Sequence, residues 1–184
     1  MDALGQAAAQ MKPNEEWLDI ERIFRLHYTR LAQVIARVVR DPARAEELAV
    51  EVCLKWSARR ITDAENSERW LYRAAVRSGL NELRHQVRRS RYERVVSFVR
   101  GSPTPEELLA ARQEQERVRL LLATIKPREA ELLVLRSQGF TYEELAAILH
   151  LNPASIGTLL SRAQQTFRKE YTRRYGTPRL GSKT

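Results

Sequence analysis

Apolar residues recur at intervals of three or four along most of this chain, and that spacing is the strongest constraint on its fold. One stripe runs from Ile23 to Val38 and a second from Ala45 to Trp56. Such spacing places apolar side chains on one face of an α-helix, whereas a half-buried strand requires strict alternation. No segment of the sequence alternates in that way. The chain is therefore expected to be all-α.

Capping residues and prolines divide this pattern into separate helices. Asp41 and Asn152 each precede a proline, which is tolerated at the first helical position because its missing N–H has no partner there. Thr141 is followed three residues later by Glu144, which forms a capping box at the sequence level. The last two predicted helices, separated by a short turn, have the spacing of a helix-turn-helix.

A stretch with one glycine and two prolines interrupts the helical pattern near the middle of the chain. We predict two small helical domains on either side of it, at 18–94 and 105–175, the second being a helix-turn-helix domain. The interruption at 95–104 is predicted to be the linker. We expect the polar N-terminus, 1–17, to be disordered and the basic tail, 176–184, to be loose.

Composition argues against an enzyme or a metal site. The single cysteine, Cys53, excludes an internal disulfide and a cysteine-rich zinc site, and its helical spacing predicts a small core residue. The three histidines, His27, His85 and His150, lack nearby ligands at metal-binding spacing. No glycine-rich phosphate loop or nucleophile motif is present. We therefore expect no catalytic residue, no metal and no cofactor.

The sequence also lacks the features of a membrane or secreted protein. Its apolar runs, such as Leu120–Ile125, are far too short to cross a bilayer. The first fourteen residues do not have the pattern of a secretory signal. We expect a cytoplasmic protein without membrane insertion.

Positive charge is concentrated in two blocks. The net charge is +9, with nine basic against three acidic residues at 67–100, and eight against three at 136–184. The other two segments are close to neutral. Two separate contacts with one nucleic acid explain this distribution best, and two solvated faces are the alternative.

The first basic block lies on the predicted third helix, which we expect to be capped by Asn66 or Ser67 and to run from Trp70 to about Arg91. Like charges four residues apart repel, so a row of arginines without an interleaved acidic residue favours a bound polyanion, although screening by water is the alternative. The row consists of Arg69, Arg73, Arg77, Asn81, Arg84 and Arg88. Trp70 and Tyr72 lie next to these arginines, where they could stack on unpaired bases or pack in the core.

The second helix has a different character. Away from its apolar stripe, Glu47, Val50, Glu51 and Leu54 share one face. An acidic and partly apolar face disfavours DNA and suits a protein partner, while an ordinary solvated face is the alternative.

The last helix begins without a charged residue, which is unusual for a DNA-reading helix. Its outward positions are Ala154, Ser155, Thr158, Ser161, Arg162 and Gln165. Ser and Thr hydroxyls can contact phosphates or bases, and the helix N-terminus itself favours phosphate. No Arg or Lys is placed at the helix start for a bidentate guanine contact.

The ordered set of motifs resembles bacterial RNA polymerase sigma factors of the two-domain, extracytoplasmic-function group. The stretch DPARAEELAVEVCLKW is similar to the polymerase-binding helix of region two, and ERWLYRAAVRSGLNELRHQVRR to its promoter-melting helix. The stretch IKPREAELLVLRSQGFTYEELAAILHLNPASIGTLLSRAQQTFRKEY is similar to region four. This resemblance covers roughly residues 18–171.

The resemblance implies a sigma factor that recruits core RNA polymerase to promoter DNA, with an anti-sigma factor as a further partner that the family allows. It implies polymerase contacts at Glu47, Val50, Glu51 and Leu54. It implies contacts with the non-template strand of the −10 element at Arg59, Arg60, Asn66, Arg73, Arg77, Asn81 and Arg84. It implies −35 contacts at Ser155, Thr158 and Arg162, and a linker that threads polymerase toward its RNA exit.

This sequence departs from the family pattern at several of these positions. The family usually has Asn where Arg77 stands and Asp where Asn81 stands, as well as Gln at Val50 and a bulky aromatic residue at Cys53. Lys or Arg is common in the family at the positions of Gly157 and Leu159.

Two other functions fit parts of the sequence. A stand-alone helix-turn-helix regulator would bind operators without polymerase, but such proteins usually dimerise and no obvious coiled-coil seam is present. A sigma-like protein that binds polymerase without recognising promoters is compatible with the neutral start of the last helix.

Overall fold

The computed structural model describes residues 13–59, 63–93 and 106–176. Those residues form seven α-helices and no strand, which confirms the predicted all-α class. The helices are α1 (Pro13–Val39), α2 (Pro42–Ser57), α3 (Ala64–Glu93), α4 (Glu106–Thr124), α5 (Pro127–Ser137), α6 (Tyr142–Leu149) and α7 (Pro153–Tyr175). Several predictions fall outside the described residues: the disordered N-terminus over residues 1–12, the linker at 95–104, the tail over residues 177–184, and Arg60.

Helices α1, α2 and α3 pack on one another and form the N-terminal domain. Their apolar stripes meet in a core that includes Leu31, Ile35, Leu48, Val52, Leu80 and Leu83. Cys53 is buried in this core, as its spacing predicts, and burial raises the pKa of its thiol to about 11. The thiol therefore stays protonated and unreactive at neutral pH.

Helix α3 begins earlier than its sequence predicts, so the expected start at Trp70 is wrong. Asp63 is the capping residue, because its Oδ1 accepts a hydrogen bond from the Glu65 N–H at 3.1 Å. The Ser67 hydroxyl donates to the Asp63 carbonyl oxygen at 2.8 Å and is buried. Asn66 thus lies in the first helical turn, where its side-chain amide donates to the Asp63 carboxylate.

Helix α1 also starts before the predicted domain boundary at residue 18. Its first residue is Pro13, and proline suits the first helical position because its missing N–H has no partner there.

Helices α4 to α7 form the C-terminal domain, in which α7 packs on α4, α5 and α6. Its core includes Leu121, Leu132, Leu135, Leu145, Ile156 and Leu160. The predicted capping box is present, because the Glu144 N–H donates to Thr141 Oγ1 at 3.2 Å and the Thr141 N–H donates to Glu144 Oε2 at 2.7 Å. The predicted N-cap of α7 is present as well, with the Ala154 N–H donating to Asn152 Oδ1 at 3.0 Å.

Two glycines of this domain should respond oppositely to substitution by alanine. Gly157 lies inside α7, where an added Cβ would meet only Tyr142 Cε2 at 3.6 Å, so Gly157→Ala should raise the free energy of unfolding by about 0.5–1 kcal/mol. Gly139 follows α5 with φ +91°, a conformation that residues with a Cβ rarely adopt. Gly139→Ala should therefore lower the free energy of unfolding by about 1–2 kcal/mol. Urea unfolding followed by circular dichroism measures both changes. A destabilising Gly157→Ala would show that the helix start cannot accept a methyl group.

Candidate nucleic-acid interface

The predicted −10 residues of the third helix lie along one face of α3. We call Arg73, Arg77, Asn81 and Arg84 the arginine stripe. Arg77 and Asn81 are exposed, while Arg73 and Arg84 are half-buried. Arg84 Nη1 donates to Asn81 Oδ1 at 3.4 Å, which links the two residues along the helix. The helical spacing therefore brings these four side chains together, as the sequence predicts.

The C-terminal domain packs against this stripe, which the sequence does not predict. Arg77 Nε donates to Glu131 Oε1 on α5 at 2.9 Å. Arg73 Nη1 donates to the carbonyl oxygen of Ile148 on α6 at 3.4 Å. Partial burial lowers the pKa of the Arg73 guanidinium, and the positive charge of the neighbouring Arg77 lowers it further. Two of the predicted strand contacts are thus engaged by protein groups in this structure.

Aromatic side chains extend the same contact between the two domains. Tyr72 is buried, and its ring meets the Phe140 ring edge to face with a centroid separation of 5.0 Å. The Arg30 guanidinium lies 5.2 Å from the Tyr72 centroid and 5.5 Å from that of Phe140. Tyr72 is therefore a packing residue in this structure, and its possible role as a stacking platform for bases is not supported.

Trp70 and Arg59 form a separate pair at the beginning of α3. The Arg59 guanidinium lies over the Trp70 ring at 5.1 Å from the centroid, and Trp70 is half-buried. Arg59 itself is exposed, as is Asn66 in the first turn of α3. A guanidinium stacked on an indole offers both a positive charge and an aromatic edge to a single strand.

Arg119 makes a second connection between the domains. Its side chain is only 15% exposed and projects from α4 toward the end of α1. Its guanidinium donates to the carbonyl oxygens of Val38 and Val39, both at 3.0 Å, and to Gln86 Oε1 at 2.9 Å. The last carbonyls of a helix lack partners within the helix, so Arg119 completes the C-terminal end of α1. No periodic pattern in the sequence could have identified this residue.

The acidic face of α2 is accessible but partly neutralised. Glu47 and Leu54 are exposed, whereas Val50 and Glu51 are half-buried. Arg44 Nη1 lies 2.7 Å from Glu47 Oε2 and 3.8 Å from Glu51 Oε1, and Arg44 also pairs with Glu82 of α3 at 3.2 Å. The helical spacing of Arg44 and Glu47 could have revealed the first pair, but the contact with Glu82 depends on how α2 and α3 pack.

Helix α7, which we call the recognition helix, is open to solvent along its predicted DNA face. Ser155, Thr158 and Arg162 are all exposed. The turn before it has the expected sharp geometry, because His150 ends α6 in the left-handed region with φ 52° and the Leu151 N–H donates to the Ala146 carbonyl oxygen at 2.8 Å.

Within the parts of the chain that the structure describes, no group of His, Cys, Asp and Glu side chains is arranged to hold a metal ion. A helix long and apolar enough to cross a membrane is likewise absent from 13–59, 63–93 and 106–176.

Comparison with known proteins assigns both domains. Residues 23–89 match the model of Sigma-70 region 2, and residues 115–166 match that of Sigma-70, region 4. The chain is 26% identical over 162 residues to RNA polymerase sigma factor YlaC of Bacillus subtilis, covering 84% of this chain and 92% of that protein. It is 28% identical over 153 residues to probable RNA polymerase sigma factor RfaY of Xanthomonas campestris pv. campestris, covering 79% of this chain and 38% of that protein.

The two family models match in the order in which the sequence motifs occur, and together they span more than half of the chain. The N-terminal domain contains the region 2 match and the C-terminal domain the region 4 match. This chain belongs to the sigma-70 family of RNA polymerase sigma factors, in its two-domain, extracytoplasmic-function group.

Proposed function

We propose that this sigma factor binds core RNA polymerase through α2, reads the −35 element with α7 and holds the unpaired −10 strand on α3. The observation that carries the proposal is the separation of three chemically distinct faces. An acidic, partly apolar face lies on α2, an arginine stripe on α3 and a hydroxyl-rich face on α7. Each face suits a different partner surface.

The α2 face is the proposed polymerase contact. Leu54 is 53% exposed, so it is accessible as an apolar contact for a partner. Glu47 and Glu51 flank it and would meet a basic surface. Burying a leucine among charged pairs provides apolar contact area, while the carboxylates select the partner and orient it.

The arginine stripe is the proposed strand contact. Guanidinium groups bind phosphates bidentately, and a row of them on one helix follows a backbone more readily than a single cation does. Arg59 over Trp70 lies at the start of the same helix, so a displaced strand could pass from the stripe to an aromatic platform. Arg60 is part of this proposal but lies outside the described residues.

The recognition helix is proposed to contribute modest affinity of its own. Ser155 and Thr158 offer hydroxyls rather than charges, and Arg162 comes later along the helix. The free N–H groups at the start of α7 favour phosphate. Because polymerase would hold both domains near one promoter, the second contact forms at high effective concentration and need not be strong alone.

Reconstituted transcription tests this function. The protein should co-purify with core RNA polymerase and support transcription from a subset of a promoter library, while core polymerase alone should not. The free protein should bind duplex DNA weakly and with steep salt dependence, because contacts with phosphates release counterions.

The competing hypothesis, a stand-alone regulator, makes the opposite prediction. It would be favoured if the free protein bound duplex DNA tightly and sequence-specifically at physiological salt and if polymerase did not increase that affinity. Capture of polymerase without any promoter-specific transcript would favour a sigma-like protein that does not recognise promoters.

Three further expectations belong to this proposal. RNA synthesis would be catalysed by polymerase, so the sigma factor requires no catalytic group of its own. Its site of action would be the cytoplasm, where polymerase and promoters meet. An anti-sigma factor would compete for the same three faces, and mass spectrometry of complexes purified from unstressed cells is the direct search for one.

A further inference from the structure

We propose that Arg77 and Glu131, together with Arg119, form a latch that holds the C-terminal domain over the arginine stripe in the free protein. In this closed form Glu131 takes the place of a DNA phosphate on Arg77, so closure and binding of the −10 strand exclude each other. The inference rests on the proposed role of the stripe in binding that strand.

Glu131 has the chemistry and position of a phosphate substitute. It is 7% exposed, which is rare for a carboxylate unless a partner compensates its burial. Its Oε1 accepts the Arg77 Nε–H at 2.9 Å. A carboxylate and a phosphate present similar anionic oxygens to a guanidinium, so the two would compete for the same side chain.

Arg73 is engaged by the same domain. Its Nη1 donates to the Ile148 carbonyl oxygen near the C-terminal end of α6, where backbone oxygens carry partial negative charge. Two neighbouring arginines of the stripe are therefore each satisfied by an acceptor from the C-terminal domain. A strand could reach them only after those acceptors move away.

Arg119 anchors the other side of the closed form. It joins α4 to the last carbonyls of α1 and to Gln86 of α3, whereas the Glu131 contact joins α5 to the middle of α3. Tyr72 and Phe140 pack between the domains. The polar contacts of Arg119 and Glu131 lie on different helices, and the Tyr72–Phe140 contact lies between the domains as well. Together these contacts define one relative orientation of the domains.

The latch should be reversible because Arg77 remains partly hydrated. Its side chain is 54% exposed, and ion pairs with a hydrated partner are weakened by solvent and salt. Opening would leave the Arg77 guanidinium to water or to a DNA phosphate. A strand or polymerase could therefore displace the latch.

The closed form leaves the other two faces free. Ser155, Thr158 and Arg162 stay exposed, and so do Glu47 and Leu54. Polymerase docking and −35 contact are thus compatible with closure, whereas strand binding is not. The latch would suppress binding of single strands by the free protein and release the stripe once polymerase separates the domains.

The latch depends on Arg77, at a position where this chain departs from the family pattern. The family resemblance implies a shorter, uncharged Asn at this position. An Asn could not form the charged pair with Glu131. The contact with Glu131 therefore gives the departure at Arg77 a role in the free protein.

The test uses two variants of the full-length protein that should open the latch, which we call the opening variants. Their substitutions change the net charge in opposite directions. Glu131→Gln keeps the side-chain size and removes a negative charge, with Glu21→Gln as its exposed control. Arg119→Gln removes a positive charge, with the exposed Arg112 of the same helix changed to Gln as its control. Far-UV circular dichroism establishes that each variant keeps the helical content of the parent.

Energy transfer between dyes on Gln33→Cys and Thr172→Cys reports closure, because both positions are exposed and lie on different domains. The native Cys53 is buried and should not be labelled. Both opening variants should show reduced transfer and bind fluorescent single-stranded DNA of random sequence at least about threefold more tightly, since a closed fraction reduces apparent affinity. Neither control should do so.

Arg119→Gln is the stricter variant, because losing a positive charge would by itself weaken binding to DNA. Unchanged transfer in both opening variants would overturn the latch itself. Reduced transfer with no gain in strand affinity would show that the exposed stripe does not bind the strand. The inference that closure excludes strand binding would then be wrong. Support of transcription by the parent protein is measured separately, so failure of the latch and failure of the sigma function remain distinguishable.

Discussion

Replacing Arg73 and Arg77 together with Ala should reduce promoter opening by about tenfold or more while leaving capture of core polymerase nearly unchanged. The proposed docking face lies on α2, whereas both arginines lie on α3. Their loss removes attraction for the unpaired strand, and a deficit of only 1.4 kcal/mol corresponds to a factor of about ten. Permanganate reactivity of unpaired thymines on a duplex promoter is the measurement.

A promoter that already contains a short melted bubble should rescue this double variant only in part. The bubble removes the cost of unpairing, but the strand must still be held, and stacking contributes on the order of 1–3 kcal/mol per base. Arg22→Ala with Arg112→Ala is the matched control, since it removes the same charge from exposed positions. If the stripe variant opens the duplex as well as this control does, α3 is not the melting helix.

The same double variant separates the opening of the protein from the opening of the promoter. It removes the side chains that contact Glu131 and Ile148, so the free protein should be more open than the parent. It should nevertheless be defective in melting. A variant that is open yet inactive on duplex promoters would show that the arginines themselves, and not merely access to α3, are required.

Reversing the charge of Glu47 and Glu51 to Lys should weaken capture of core polymerase by more than about tenfold, because close charged pairs across an interface couple by several kcal/mol. The structure adds a local reason. Arg44 pairs with both carboxylates and Lys55 pairs with Glu51, so two lysines would place four like charges together on α2. Repulsion would then extend over the whole proposed docking face. Binding of labelled core polymerase in a titration is the measurement.

Helicity should not change in this variant, since Glu47 is exposed and Glu51 half-exposed, and surface pairs contribute little to stability. Glu21→Lys with Glu143→Lys is the control, because it makes the same change in net charge at exposed positions elsewhere. Equal polymerase binding by the two variants would mean that the acidic face is only solvated.

The sequence alone was sufficient for the helical class and for most local boundaries. Apolar spacing predicts which face of each helix is buried, and the caps at Asp41, Thr141 and Asn152 identify where helices begin. The start of α3 was missed because Asp63 lies at the end of a polar stretch in which several residues can serve as caps. These are short-range properties, governed by hydrogen bonds between residues two to four apart.

The sequence also grouped the site residues correctly by helix face. Arg73, Arg77, Asn81 and Arg84 share one face because they follow helical spacing, and Ser155, Thr158 and Arg162 are exposed because Ile156 and Leu160 turn the opposite face inward. Their functional roles remain proposals, since a shared face establishes proximity and accessibility but does not identify the partner.

Only the tertiary structure decided what lies against those faces. Glu131 is far from Arg77 along the chain, and nothing in the spacing of either helix connects them. The same is true of Arg119 and the carbonyls of α1, and of Tyr72 and Phe140. Periodicity records that a side chain is buried or exposed within its own helix, because that depends on local geometry. The partner of a charged side chain depends on how separate helices and domains pack, and that information is distributed over the whole chain.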